Sequence, residues 1–502
     1  MARAGSGPAA VQSPPPPRRE LWPFAIGALA LLSLGAPLCL LSGYELATQY
    51  EDDAYYYFQI ARNLAQGRGF TFDGLHETNG FHPLWLALLV PLFRWLPGQD
   101  APVRAAGLLE VLLLGSTAAL VYGVMRRSAP RATALAAGVF VLAPGTRAYT
   151  RVGLESALCM SLLASIWYVS VRLETRVTST RLLFAGGLCA LAALARLEAL
   201  CAVPCLLWLL RQPLVAAPRQ ALWLVAPALG STGLYLLWNR ARFGTFLPVS
   251  GLVKQLWASV YFADQGGVRP APLLLLLLAA AGALAAQRWL SPRLPWLAAL
   301  RFPLITAFGM LGLDFASLGQ VERWYLGVAV LALAPLLAST LRVSPTASWI
   351  AAAACAALAL ARVPYTVRSV QRHDYQAEMR GEAADWLRRH LPPGTRVGAW
   401  SGGMLGYYSG QHVVMLDGLA NSHAFYRRAL VSGDLLGYLQ AERIDHLATL
   451  GCDFDPVLWT ARSVDHDRKL ARSYGLQAPL SDRPLTEPCR EAYQLWVKKR
   501  GP

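Results

Sequence analysis

The sequence predicts a polytopic α-helical membrane protein of about eleven spans, with a large first outer loop and a C-terminal soluble α/β domain. Three observations lead there. Of 502 residues, 55% are hydrophobic and only 15% are charged, and the mean hydropathy is +0.36, outside the usual balance of a water-soluble chain. Apolar runs recur from residue 21 to 363. From 364 to 502, charged residues, Gly and His become frequent, and no apolar run is long enough to span.

Taken in order, residues 1–20 open with an Ala-, Gly-, Ser- and Pro-rich stretch and read as a disordered cytoplasmic tail. The first span, Leu21 to Gly43, follows Arg18 and Arg19 and has about the 20 residues that a crossing helix needs. It is long for the apolar part of a signal peptide and has no clean small-x-small cleavage site, so it reads as an uncleaved span. Further runs lie at roughly 104–125, 132–148, 155–171, 182–197, 199–210, 220–238, 271–287, 297–316, 324–341 and 347–363.

Charge sets the orientation, because cytoplasmic loops carry an excess of Arg and Lys. With the N-terminus inside, the inner loops hold Arg126, Arg127 and Arg131; Arg172, Arg176 and Arg181; Arg211 and Arg219; Arg288 and Arg293; then Arg342. The alternation holds only if Phe81 to Leu96 does not cross. That stretch is short and carries Pro83, Pro91 and Arg94, so it reads as an interfacial or re-entrant helix. One outer loop then covers 44–103, residues 21–363 form the membrane domain, and the region from 364 lies outside the cytoplasm.

In that last region "EMRGEAADWLRRH" reads as an amphipathic helix ended by Pro-Pro-Gly and followed by a strand. "HVVMLDGL" reads as a second strand, and a helix is expected around "LLGYLQAERIDHLA". The rhythm is βαβ-like. "SGGMLGYYSG" lacks the spacing and trailing acid of a nucleotide loop and reads as a tight turn. Six cysteines lie in apolar runs and read as packing residues. Cys452 and Cys489 stand apart in the outer domain, where a disulfide between them is open. No metal-spacing motif, P-loop or Gly-x-Ser-x-Gly occurs. Much of the net charge of +16 sits in membrane loops, so lipid phosphate, not nucleic acid, is the expected partner.

The densest acidic cluster, Glu51, Asp52 and Asp53, stands just beyond the first span. From Asp53 to Gln66 the residues Ala54, Tyr57, Phe58, Ala61, Leu64 and Ala65 recur at helical spacing. One Asp at the helix start would suffice as an N-cap. Three clustered carboxylates repel unless a cation, a proton or a substrate donor is near, which points to chemistry. The helix ends near Gly67 and Gly69, and Pro83 opens the next at a favoured first-turn position. Tyr56, Asn79 and His82 in the same loop are further site candidates.

An acidic pair after the first span, an interfacial helix, a Gly-rich return and a Pro-Leu-aromatic helix start resemble the GT-C superfamily of integral-membrane glycosyltransferases. Protein O-mannosyltransferases and the lipid A aminoarabinose transferase are members. The residues that carry the resemblance are Asp52-Asp53-Ala54-Tyr55 and His82-Pro83-Leu84-Trp85, within residues 21–172. His82 stands where a Pro is more usual, and Asp-Asp where many relatives have Asp-Glu.

The resemblance implies inverting transfer of a sugar from a polyprenyl-phosphate donor to a hydroxyl or amine of a lipid, glycan or protein acceptor, outside a bacterial plasma membrane. Such a transfer needs a carboxylate to take the acceptor's proton. Asp52 is the expected base and Asp53 its close alternate. A second acid in the next outer loop of relatives corresponds to Glu155 in "RVGLESAL". Donor phosphate would call for outward cations, and Arg147, Arg151, Arg196, Arg240, Arg242, Lys254 and Arg323 are the candidates. Asp52 and Asp53 offer only two ligands to Mg or Mn, so no metal is expected to be required. The competing classes are a lipid flippase, whose acids would sit within spans, and a non-catalytic assembly scaffold.

Overall fold

The computed structural model describes residues 21–143, 146, 153–174, 176–264, 296–318, 322–340, 345–372, 375–450, 473–479 and 493–499. The tail 1–20, the apolar run 271–287, Arg147, Arg151, Cys452 and Cys489 lie outside them. Five of the described helices are long and apolar enough to cross a membrane: Trp22–Leu40, Asp100–Met125, Ser156–Leu173, Pro218–Phe243 and Thr346–Arg368. Shorter apolar helices cover Arg131–Val141, Ser179–Ala195, Leu197–Leu209 and Arg323–Ser339, and a further helix covers Arg301–Leu318. They coincide with the apolar runs of the sequence, and together they make a polytopic helical membrane domain.

Helix α1 (Asp52–Ala65) and helix α2 (Pro83–Trp95) lie between the apolar helices Trp22–Leu40 and Asp100–Met125, in the stretch expected from the sequence to be the first outer loop. At 13 residues α2 reaches only about 20 Å, too short for a bilayer core of about 30 Å. It buries Trp85, Leu86 and Leu89 while Trp95 is 78% exposed. The return between the helices turns on Gly67 and Gly69, at φ +78° and +74°, values that a side chain rarely tolerates. Helix α1 departs from the one-faced pattern expected of it, because every residue from Ala54 to Ala61 is buried. The face opposite the membrane domain is covered by the C-terminal domain.

Helix α3 (Pro345–Arg372) carries the chain out of the last apolar run without a break. Helix α4 (Tyr375–His390) precedes strand β1 (Arg396–Ala399), followed by α5 (Gly403–Tyr408), β2 (His412–Met415), α6 (Leu435–Ala441), β3 (His446–Leu450), β4 (Tyr474–Pro479) and β5 (Tyr493–Lys498). The sheet order is β2-β1-β3-β5-β4, with β1 parallel to β2 and β3 and the last two strands antiparallel. The helix expected around 435–448 stops at Ala441, and His446–Leu450 forms β3 instead. "GMLGYY" is not a tight turn but the fully buried helix α5.

Tight seating of this domain on the outer loop depends on small residues. A Cβ on Gly80 would stand 1.9 Å from the carbonyl oxygen of Leu419, one on Gly406 2.4 Å from Phe72, and one on Gly381 2.5 Å from Tyr44. Tyr55 packs against Tyr407 and Tyr408 with ring centroids 5.4 and 5.7 Å apart. The apolar core is therefore shared between the outer loop and the sheet domain.

Candidate functional site

The first turn of α1 holds both aspartates, yet neither caps its own helix. Glu51 occupies the N-cap position and its side chain makes no capping bond. Asp52, the expected base, is instead spent on the C-terminal domain. Its carboxylate accepts hydrogen bonds from the backbone N–H of Gly403 at 2.9 Å and of Met404 at 3.0 Å, at the start of α5, and Arg380 lies 3.3 Å away. A Cβ on Gly403 would come 2.2 Å from the Asp52 carbonyl oxygen, so only glycine admits this approach.

Asp53 differs from its neighbour. It remains partly exposed, and burial pushes its carboxyl up to about 7, against the pull of Lys254 and with the charges of Asp52, Asp417 and Glu322 adding to the rise. A carboxylate poised there suits proton abstraction near neutral pH.

One helical turn along α1, Tyr57 leads away from Asp53 into a chain of polar contacts. Its hydroxyl donates to Glu155 Oε2 at 3.1 Å and accepts the N–H of His82 at 3.2 Å, and His82 Nε2 lies 3.4 Å from Glu155 Oε1. Burial holds the His82 imidazole below its ordinary pKa despite Glu155. Arg196 follows, 3.6 Å from Glu155, 3.4 Å from Glu198 and 3.4 Å from Asp314. Its guanidinium stacks 4.0 Å over the Tyr325 ring. The Tyr325 hydroxyl in turn accepts from Lys254 Nζ at 2.8 Å, which brings the chain back toward Asp53.

Several expected phosphate ligands are therefore committed elsewhere. Arg196 is only 2% exposed and lies against the carboxyl groups of Glu155, Glu198 and Asp314, so its guanidinium is already engaged. Arg323 pairs with Glu51 and Arg242 with Glu77, while Arg240 is exposed at the end of the helix Ala221–Phe243. Among the described candidates, Lys254 is the cation whose charge acts on Asp53. Asn79 accepts the N–H of Val249 at 2.9 Å and donates to Leu247 at 3.2 Å. It thereby pins the start of the helix Val249–Asp264 that bears Lys254.

Sequence reasoning missed Asp417, Glu198, Asp314, Tyr325 and Arg380. Asp314 had a signal, since an ionisable group within an apolar run requires a partner. Asp417 follows β2 and receives the Tyr56 hydroxyl at 3.0 Å. Among the described residues no group of three or more His, Cys, Asp or Glu is arranged to hold a metal ion.

The architecture is that of the GT-C fold. ArnT from Cupriavidus metallidurans bound to undecaprenyl phosphate superposes with a TM-score of 0.60 at 12% identity, covering 95% of this chain and 97% of that one. The oligosaccharyltransferase of Archaeoglobus fulgidus in its apo form superposes with a TM-score of 0.51, also at 12% identity, covering 91% of this chain and 73% of that one. A family model described as a domain of unknown function (DUF8728) matches residues 366–493, the C-terminal domain. No curated protein matches the chain by sequence.

Proposed function

We propose that the protein is a membrane glycosyltransferase that moves a sugar from a polyprenyl-phosphate donor to an acceptor on the extracytoplasmic face, with inversion. The fold shared with ArnT, a structure that holds undecaprenyl phosphate, supports the class of donor. The Arg alternation of the loops supports a cytoplasmic N-terminus and an external C-terminal domain.

The observation that carries the reading is the division between two adjacent aspartates. Asp52 has its oxygens filled by two amides and Arg380, whereas Asp53 is partly open and its carboxyl is raised to about 7. Asp53 is accordingly the base. The acceptor's oxygen or nitrogen attacks the anomeric carbon from the face opposite the phosphate. The bond from that carbon to the phosphate oxygen breaks with its electron pair, leaving polyprenyl phosphate, and the acceptor's proton passes to Asp53. Lys254 offsets charge on the departing phosphate. Glu155, held by Tyr57, His82 and Arg196, orients the opposite wall of the site. The reaction so written needs no metal.

The test is transfer by membranes containing the full chain, charged with labelled polyprenyl-phosphate sugars. Asp53→Asn is expected to lose roughly 10²-fold or more at unchanged protein abundance. Near-normal transfer by that variant would remove Asp53 as the base, and absence of transfer by wild type would favour a flippase or scaffold.

A further inference from the structure

We propose that the C-terminal domain clamps the catalytic turn, with Asp417 a positioning residue that acts on Asp53 through Tyr56. The inference rests on Asp53 as the base of the proposed transfer and adds to it a task for the outer domain.

The geometry begins with the sheet. From β1 the chain passes through α5 to β2 on one side, then crosses back to β3 on the other, both parallel to β1. The carboxyl end of β1 is thus the point where the winding reverses, the place at which open α/β sheets form their ligand crevice. Here that crevice receives part of the same chain. Asp52 reaches in from the outer loop and takes the amides of Gly403 and Met404.

Asp417 enters the same crevice from the end of β2. One carboxylate oxygen accepts the N–H of Leu419 at 2.8 Å, and the other accepts the Tyr56 hydroxyl at 3.0 Å and the N–H of Ser401 at 3.3 Å. Ser401 sits at φ +49°, a left-handed conformation that costs a non-glycine residue energy. It is held at the turn that presents its N–H to Asp417.

The two attachments bracket the base. Asp52 precedes Asp53 directly, and Tyr56 lies three residues beyond Asp53, one turn along α1 from Asp52 and on the same face as it. The outer domain therefore grips the helix immediately before and one turn beyond Asp53.

Docking alone does not explain the carboxylates. The aromatic contacts of Tyr55, Phe72, Tyr407 and Tyr408 already join the two parts through apolar surface, whereas burying ionised groups is costly even when they are paired. Asp52 at 8% and Asp417 at 2% exposure are placed where they fix a turn. Misplacement of a reacting group by about 1 Å can cost on the order of 10²-fold in rate.

The charges facing Asp53 are Asp52 on its own helix, Asp417 from the sheet domain, Glu322 before the helical turn Arg323–Leu326, and Lys254 from the helix Val249–Asp264. Asp417 raises the Asp53 pKa, so removing its charge lowers that pKa.

The experiment measures transfer against pH in membranes containing the full-length protein, with polyprenyl-phosphate mannose, galactose and arabinose as labelled probes. Asp417→Asn is expected to lower kcat by about 10- to 100-fold with donor KM within about twofold, and to move the acid limb of the profile to lower pH. Tyr56→Phe leaves the Asp417 carboxyl in place and breaks the link, so kcat falls with a smaller move of the limb than in Asp417→Asn. Asp417→Glu recovers part of the rate. A merely structural role would instead lower protein abundance and leave the activity per folded molecule and its pH limb unchanged, and that result overturns the inference. If Asp53→Asn is inactive while Asp417→Asn is normal, only this inference falls. If Asp53→Asn is active, or wild type transfers none of the probes, the base assignment falls and this inference with it.

Discussion

The two sides of helix α1 carry neighbouring, chemically identical aspartates into different surroundings. Toward the sheet domain, Asp52 meets two amide donors and a guanidinium, which use its lone pairs. Toward the membrane domain, Asp53 meets burial opposed by one ammonium, which leaves it poised between its charged and neutral forms. Residue type does not assign the role. The number of donors already engaged does.

The sharpest way to break that comparison is to neutralise each aspartate in turn. Asp53→Asn removes the proposed base, whereas Asp52→Asn keeps one amide oxygen to accept from the start of α5, since Asn caps a helix about as well as Asp. Transfer is expected to fall at least about 10²-fold for Asp53→Asn and only a few-fold for Asp52→Asn. The reverse order would return the base to Asp52. In wild type the rate should rise with pH through about 7 and level off above it, because a base works only when ionised.

The second largest effect falls on the buried cluster around Arg196. Arg196→Ala would leave Glu155, Glu198 and Asp314 without their shared cation in a buried site. Removing one partner of a buried ionic group costs about 3–5 kcal/mol, so a marked drop in the detergent unfolding temperature is expected. Arg196→Lys keeps the charge but loses the fork geometry and part of the stacking on Tyr325, and should recover only part of the loss. An Arg196→Ala variant as stable as wild type would mean that these carboxylates are neutral.

The comparison also explains what could be read from the chain alone. The apolar helices, the helix after the acidic cluster, Pro83 at the first turn of its helix and the βαβ rhythm are local patterns, each visible within about 20 residues. The assignment within the Asp pair was not legible, because the groups that spend Asp52 lie 351 and 352 residues away. Arg196 illustrates the same limit. Its position in an outward loop marked it as a phosphate ligand, while the carboxylates that claim it come from three separate helical segments. Asp417 sits in an ordinary strand end, and only the docking of the sheet domain onto α1 gives it a partner.

Away from the aspartates, a second contact between the same two regions titrates independently and has the smallest expected effect. His76 of the outer loop places Nδ1 2.6 Å from Asp73 and Nε2 3.1 Å from Glu442 of the sheet domain. Arg396 also reaches Glu442, at 3.2 Å, and His412 Nδ1 lies 2.6 Å from the Asp73 carbonyl oxygen. The hydrogen bond to Asp73 raises the His76 pKa, burial opposes it, and the charges of Asp73 and Glu442 add to the rise. A group whose pKa is higher when docked contributes fully below its free value, about 6.5, and its contribution fades as pH rises through the docked value. Docking at this edge should therefore be firmest in mild acid and loosen as the medium becomes alkaline. His76→Gln should remove that dependence while leaving the Asp52 and Asp417 attachments in place. Hydrogen exchange of the amides of Leu75 and His76, which donate to Asp73 at 2.8 Å, measures it after correction for the intrinsic effect of pH. Protection that is flat with pH in wild type, or that slopes equally in His76→Gln, would show that the charge on His76 plays no part in holding the two regions together.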